Sequence, residues 1–394
     1  MSAQLLVEKK AVRDDGVLDF AQVGEVPLES GAVLPEVTIA FETWGRLNED
    51  ASNAVLVLHA LTGDTHVSSG RVGPDTDLCT AVQAAAPGWW EGTVGPGCVI
   101  DTDRYFVVAP NILGGCYGST GPSSPAPSSV DPNRRPWGSR FPRLTVRDTV
   151  VAEKKLAQML GIERFQLVVG GSLGGMRALE WALMYPEAVA SCAVIASGPS
   201  ATADQLAWAQ AQDYAITMDP NFAGGDYYDG RPPTEGLGLA RRIAHTTYRS
   251  AAELHHRFGR EAQDLESPLT CPMTRGERGR FKVESYLDHH ARKITDRFDA
   301  NSYLVINGIL RSHDVTRGRG SLRQAMAHSQ CRWTIAAVDS DRLFYPSESV
   351  VLAAALPDPT EAILINSPSG HDGFLIESGQ VKAVLQAAVA ALDE

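Results

Sequence analysis

The stretch Phe165-Gln166-Leu167-Val168-Val169-Gly170-Gly171-Ser172-Leu173-Gly174-Gly175-Met176 leaves the surrounding chain little freedom. An apolar run of strand length enters a Gly-x-Ser-x-Gly turn, and Met176, Leu179 and Leu183 then recur at helical spacing. In a strand–turn–helix of this kind the serine is forced into a strained backbone conformation that lifts its hydroxyl above the sheet edge. Glycines at 170 and 174 let strand and helix pass closely, and the amide of Leu173 points where an oxyanion would form.

Other segments supply the rest of a sheet. Val37-Thr38-Ile39-Ala40-Phe41-Glu42 alternates as an antiparallel strand with one wet face would, and is expected at an edge of the sheet. Ala54-Val55-Leu56-Val57-Leu58 is apolar throughout, the pattern of a strand covered on both faces, and ends in His59-Ala60-Leu61-Thr62-Gly63-Asp64. Further strands are predicted at Tyr105–Ala109, Val189–Ala196, Trp333–Val338 and Ala362–Ile365, with a closing helix near Gly379–Leu392. Thr145 and Asp148 open a helix that runs to Gly161, its expected cap. Residues 112–143, rich in Gly, Pro and Ser, read as a folded rim of the site. From Ser200 to Arg323 charged, aromatic, helical segments replace the strand–helix alternation. The organisation predicted is an α/β fold with a mostly parallel sheet flanked by helices: a core of residues 1–199 and 324–394, interrupted by a helical lid over 200–323.

Composition narrows the partners. Asp and Glu number 47 against 35 Lys and Arg, and the net charge of -12 argues against nucleic acid or an anionic membrane. Glu8, Lys9, Lys10, Arg13, Asp14 and Asp15 stand where a signal peptide would need an apolar core, and no run approaches a membrane span. A cytoplasmic protein is expected. Cys79, Cys98, Cys116, Cys192, Cys271 and Cys331 are scattered and read as reduced thiols. Neighbours His255-His256 and His289-His290 point apart on a helix, and no metal is expected.

A serine nucleophile needs a base for its proton, and the base needs a carboxylate to fix its tautomer. Two later strands end in suitable loops: Asp339-Ser340-Asp341-Arg342-Leu343-Phe344 follows Val338, and Ser369-Gly370-His371-Asp372-Gly373 follows Ile365 by three residues. His371 is the candidate base. Asp341 and Asp339 compete for the acid, and topology alone does not separate them. The oxyanion hole needs a second amide from the loop after an early strand, where Leu61 sits to partner Leu173. His59 is read as structural.

These residues carry a resemblance. Gly171–Met176 with Leu179-Glu180-Trp181, His59–Asp64, Leu113-Gly114-Gly115-Cys116, Gly118-Ser119-Thr120-Gly121-Pro122, Asp341-Arg342-Leu343-Phe344 and His371-Asp372-Gly373-Phe374-Leu375 together resemble the homoserine O-acetyltransferases, acyltransferases of α/β-hydrolase fold. The likeness runs from about residue 35 to the C-terminus. It implies Asp341 as the acid. Two departures are small: Leu173 stands where the family more usually has methionine, and Arg177 where it more usually has glutamine.

The resemblance implies transfer of an acetyl group from acetyl-CoA, as co-substrate and without another cofactor, to the hydroxyl of L-homoserine through an acetyl-Ser172 intermediate. It implies an arginine for the amino acid's carboxylate and Asp372 for its ammonium. Arg241 is the preferred arginine and Arg242 its close competitor. Arg311, Arg317, Arg319 and Arg323 are candidates for the CoA phosphates, and a homodimer is implied. A serine acceptor, a succinyl donor or an esterase on the same scaffold are the alternatives.

Overall fold

The computed structural model describes residues 14–263 and 280–390; the N-terminal charges Glu8 to Arg13 and the thiol of Cys271 lie outside the described residues. The strands are β1 (Asp19–Pro27), β2 (Val33–Trp44), β3 (Ala54–Leu58), β4 (Val94–Gly95), β5 (Ile100–Asp101), β6 (Phe106–Pro110), β7 (Phe165–Gly171), β8 (Val189–Ile195), β9 (Arg332–Val338) and β10 (Ile363–Ile365). Eight of them form one sheet in the order β1-β2-β6-β3-β7-β8-β9-β10, while β4 and β5 pair separately. Pairing is antiparallel from β1 through β2 to β6 and parallel from β6 to β10.

The uniformly apolar runs are buried on both sides because alternate residues serve two cores. Leu56, Leu58 and Val168 face Leu179 and Trp181 on one side of the sheet. Val55, Val57 and Val169 face Val384 and Leu385 on the other. Each such side chain taken fully out of water contributes roughly 1.5–3 kcal/mol, so a one-residue slip of β3 or β7 would exchange two packed faces at once.

Helix Val146–Met159 starts as expected: the Thr145 side chain accepts from the Asp148 amide, and the Asp148 side chain accepts from the Thr145 amide. It ends at Leu160, after which Gly161 takes a left-handed φ of 75°. The closing helix is Ser378–Ala390. Between β8 and β9 the described residues form six α-helices and no sheet strand.

Two expectations need correction. The alternating segment in β2 is not an edge: β1 covers it, and β1 is the true edge. The sequence of β1 carries two register shifts around Gly24, which break the period of two that would have revealed it. Residues 112–143 are folded, with a bridge between Pro125 and Pro136 and with Arg135 and Arg140 both paired to Asp131, yet none of them lines the central cavity. They support the site from behind. For example, the Tyr117 hydroxyl accepts a hydrogen bond from Arg297, which does line it.

Candidate active site

Ser172 follows β7 directly and precedes helix Leu173–Met184. Its backbone holds φ 57° and ψ -125°, a region costly for a residue with a Cβ and sustained here by packing. The flanking glycines have a steric reason. A Cβ on Gly174 would lie 2.1 Å from the Leu58 carbonyl oxygen, and one on Gly170 would lie 2.3 Å from the Gly174 carbonyl carbon. The helix start is thereby pressed against the end of β3, which brings the Leu173 amide beside the His59-Ala60-Leu61 loop. Neither the Leu61 nor the Leu173 amide has a hydrogen-bond acceptor among the described residues.

His371 lies in a 3-10 turn, Gly370–Asp372, after β10. Its Nδ1–H donates to Asp341 Oδ2 at 2.6 Å. The other oxygen, Oδ1, accepts from the amides of Leu343 and Phe344 at 2.8 and 2.9 Å, so the carboxylate cannot rotate away. Asp339 serves elsewhere, its Oδ1 accepting from the Ser367 amide and tying the β9 and β10 loops together. The geometry thus separates the two aspartates that loop position left equal. Burial alone would lower the basicity of His371; the charge and hydrogen bond of Asp341, aided by Asp372 and Glu348, outweigh it and raise the pKa above 6.5. Phe344 stacks on the imidazole at 5.0 Å.

His59 is structural, as read. Its Nε2 accepts from the Ile112 amide at 3.1 Å, leaving Nδ1–H for the Ala60 carbonyl at 2.7 Å. Burial, then the charge of Arg177, lowers its pKa to about 3. That ring fixes the loop carrying Leu61.

Ser172, Leu61 and His371 share a cavity of about 290 Å³ with Arg241 and Asp372. Arg241 reaches Thr62 Oγ1 at 3.3 Å, whereas Arg242 turns aside to Asp288 at 2.8 Å. Of the two, Arg241 alone lines the cavity. Asp372 is not alone: Arg249 pairs with it at 3.1 Å and also holds Glu253 at 3.0 Å. Burial raises the Asp372 pKa, and Arg249, His371 and Arg241 oppose that rise.

The arginine cluster expected for phosphates is elsewhere and committed to structure. Arg311 pairs with Asp213, Arg317 with Glu29 and Arg319 with Glu180; Arg323 donates to the Ala354 carbonyl; none of the four lines the cavity. Among the described residues the cationic lining is instead Arg241, Arg249, Lys293 and Arg297, against the single carboxylate of Asp372. Sequence reading missed Arg249, His245 and Lys293. The spacing of 241, 245 and 248 along helix Thr234–Tyr248 was a usable signal, because residues four and seven positions on share a face. Lys293 and Arg249 had none, since their position depends on how the helices between β8 and β9 pack.

Among the described residues no group of three or more His, Cys, Asp or Glu could hold a metal ion, and no helix is long and apolar enough to cross a membrane.

Comparisons with known proteins bear on the fold and the family. Residues 53–378 match the family model described as the alpha/beta hydrolase fold. The homoserine O-acetyltransferase of Thermobifida fusca is 54% identical over 363 residues, which are 92% of this chain and 90% of that protein. The crystal structure of homoserine O-acetyltransferase from Bacillus anthracis superposes with a TM-score of 0.83 at 25% identity, covering 96% of this chain and 98% of that one. Esterase E22 superposes with a TM-score of 0.80 at 24% identity over 95% of this chain and 99% of its own, a likeness of fold alone.

Proposed function

We propose, for a chain that belongs to the homoserine O-acetyltransferase family of the alpha/beta hydrolase fold, that its cavity carries out acetyl transfer from acetyl-CoA to the hydroxyl of L-homoserine by a two-step, ping-pong route. The product, O-acetyl-L-homoserine, belongs to methionine biosynthesis. The observation that carries the reading is the pairing of Asp341 with His371, which lines the cavity together with Ser172 and an arginine with no carboxylate partner among the described residues, Arg241.

In the first step His371 Nε2 takes the proton of Ser172 Oγ, and Oγ bonds to the thioester carbonyl carbon. The amides of Leu61 and Leu173 hold the oxyanion. The carbon–sulfur bond breaks, the sulfur receives the proton from His371, and CoA leaves. In the second step the homoserine hydroxyl gives its proton to His371 and attacks the acetyl-serine; Oγ departs and recovers that proton. Arg241 takes the amino acid's carboxylate and Asp372 its ammonium, with Arg249 keeping Asp372 ionised and in place. The described helices within residues 200–323 serve as the lid that excludes water, so that transfer outruns hydrolysis.

A thiol-release assay tests this reading. CoA release from acetyl-CoA is expected to depend on homoserine; release at the same rate without homoserine would make the protein an acetyl-ester or thioester hydrolase, as the fold also permits.

A further inference from the structure

His245, on the lid helix that also carries Arg241, is buried at 3% exposure and lines the catalytic cavity, yet its Nε2 has no hydrogen-bond partner among the described residues. Buried polar atoms are nearly always satisfied, so an orphan on a side chain that lines the cavity marks a place where a ligand atom belongs.

The neighbours decide what that atom is. His245 Nδ1 lies 3.1 Å from the Tyr286 hydroxyl. A phenol O–H is a strong donor and a neutral imidazole nitrogen a strong acceptor, so the hydroxyl hydrogen goes to Nδ1, which places the imidazole proton on Nε2 and makes it a donor. The ring stacks face to face on His290 at 3.7 Å, which fixes its plane. Burial and the surrounding charges of Arg241, His290, Arg249 and Lys293 keep the ring uncharged. A neutral donor thus stands one helical turn from Arg241, on the same face.

We infer that His245 is a second ligand for the acceptor's carboxylate, its Nε2–H and the Arg241 guanidinium closing a two-point clamp. The clamp rests on the reading that the acceptor is an amino acid. It gives His245 a role in specificity: it recognises a carboxylate that the reaction itself does not touch, and Thr62, which Arg241 meets in the free protein, is exchanged for that carboxylate.

The test compares two acceptors, L-homoserine and 3-aminopropan-1-ol, which differ only by the carboxylate. Acetyl-CoA-dependent thiol release is measured in the full-length protein, normalised to the fraction of enzyme that acylates. His245→Phe keeps the stack and removes the donor. It is expected to lower the preference for homoserine over the amino alcohol, as a ratio of kcat/KM, by about tenfold to a hundredfold. His245→Gln, whose amide places a donor near the Nε2 position, is expected to recover part of the ratio. Where the Phe variant does not fold, His245→Asn carries the same comparison, because its amide is too short to reach. A fall of both acceptors by one factor, leaving the ratio unchanged, overturns the clamp alone. A wild type that releases no thiol with either acceptor overturns the parent reading and the clamp with it.

Discussion

Arg177 donates two hydrogen bonds to a single oxygen of Glu153, at 2.9 and 2.5 Å, and both side chains are wholly enclosed. Trp181 donates to the other oxygen at 2.7 Å, and Arg177 also approaches the His59 carbonyl at 3.4 Å. The pair therefore sits beneath the loop that carries Leu61, joining it to helix Leu173–Met184 and helix Val146–Met159. A buried charge stripped of its partner is far more costly than the absence of both charges. Arg177→Met is predicted to destabilise the protein by about 3–5 kcal/mol, seen as a lower urea midpoint with a similar slope. Arg177→Met with Glu153→Leu is predicted to lose much less than the sum of the single changes; strict additivity would show that the two side chains do not act as a pair.

Asp341→Asn tests the triad without removing its shape. The Oδ1 position, held by the Leu343 and Phe344 amides, must stay an oxygen, so the new NH2 faces His371 Nδ1. That reverses the tautomer and leaves Nε2 protonated, unable to accept the serine proton. A loss of kcat on the order of 10⁴-fold with an unchanged thermal midpoint is expected. A variant with more than a tenth of wild-type kcat would remove Asp341 from the mechanism.

The strand–elbow–helix unit was legible because three independent rules converge on Gly170 to Met176: the apolar run, the glycines and the helical period. Asp341 and Asp339 were not separable, since both follow β9 and only the Leu343 and Phe344 amides, together with the Ser367 brace, show which carboxylate faces His371. The cation lining failed for a related reason. Arg317 and Arg319 are dense in sequence but meet Glu29 and Glu180 from distant segments, whereas Lys293 becomes part of the site only through the packing of the helices between β8 and β9. Local pattern shows elements; it does not show which charges are already neutralised by partners far along the chain.

The pH dependence of acylation follows from His371. Only its neutral form accepts the serine proton, and its pKa lies above the ordinary 6.5, so the acylation rate should rise with pH through a midpoint above that value. Glu348 raises His371, and burial in turn brings Glu348 itself up to about 7. Glu348→Gln removes that negative charge and is predicted to move the midpoint to lower pH. A pH profile of thiol release in which the midpoint stays or rises would contradict the assignment.

A separate effect concerns stability. His66 Nδ1 donates to Glu42 at 2.7 Å and Nε2 donates to the Ala86 carbonyl at 2.8 Å, so both ring nitrogens carry hydrogen. The bond to Glu42 raises its pKa to about 9. Because the folded pKa is above the unfolded one, the stabilisation is fully present below about pH 6.5 and is lost as pH rises through about 9. The stability difference between wild type and His66→Gln should shrink across that window in urea titrations. A difference that stays constant from about pH 6 to 10 would show that His66 is neutral in the folded protein.

The central claim is that Ser172 carries the acetyl group between two substrates. Mass spectrometry of the protein after brief exposure to acetyl-CoA without acceptor tests it most directly, with succinyl-CoA as the parallel donor. The prediction is one acetyl increment, mapped to the peptide containing Ser172, discharged on adding L-homoserine and absent in Ser172→Ala. An increment that maps to another residue, that appears only with succinyl-CoA, or that persists in Ser172→Ala would contradict the account.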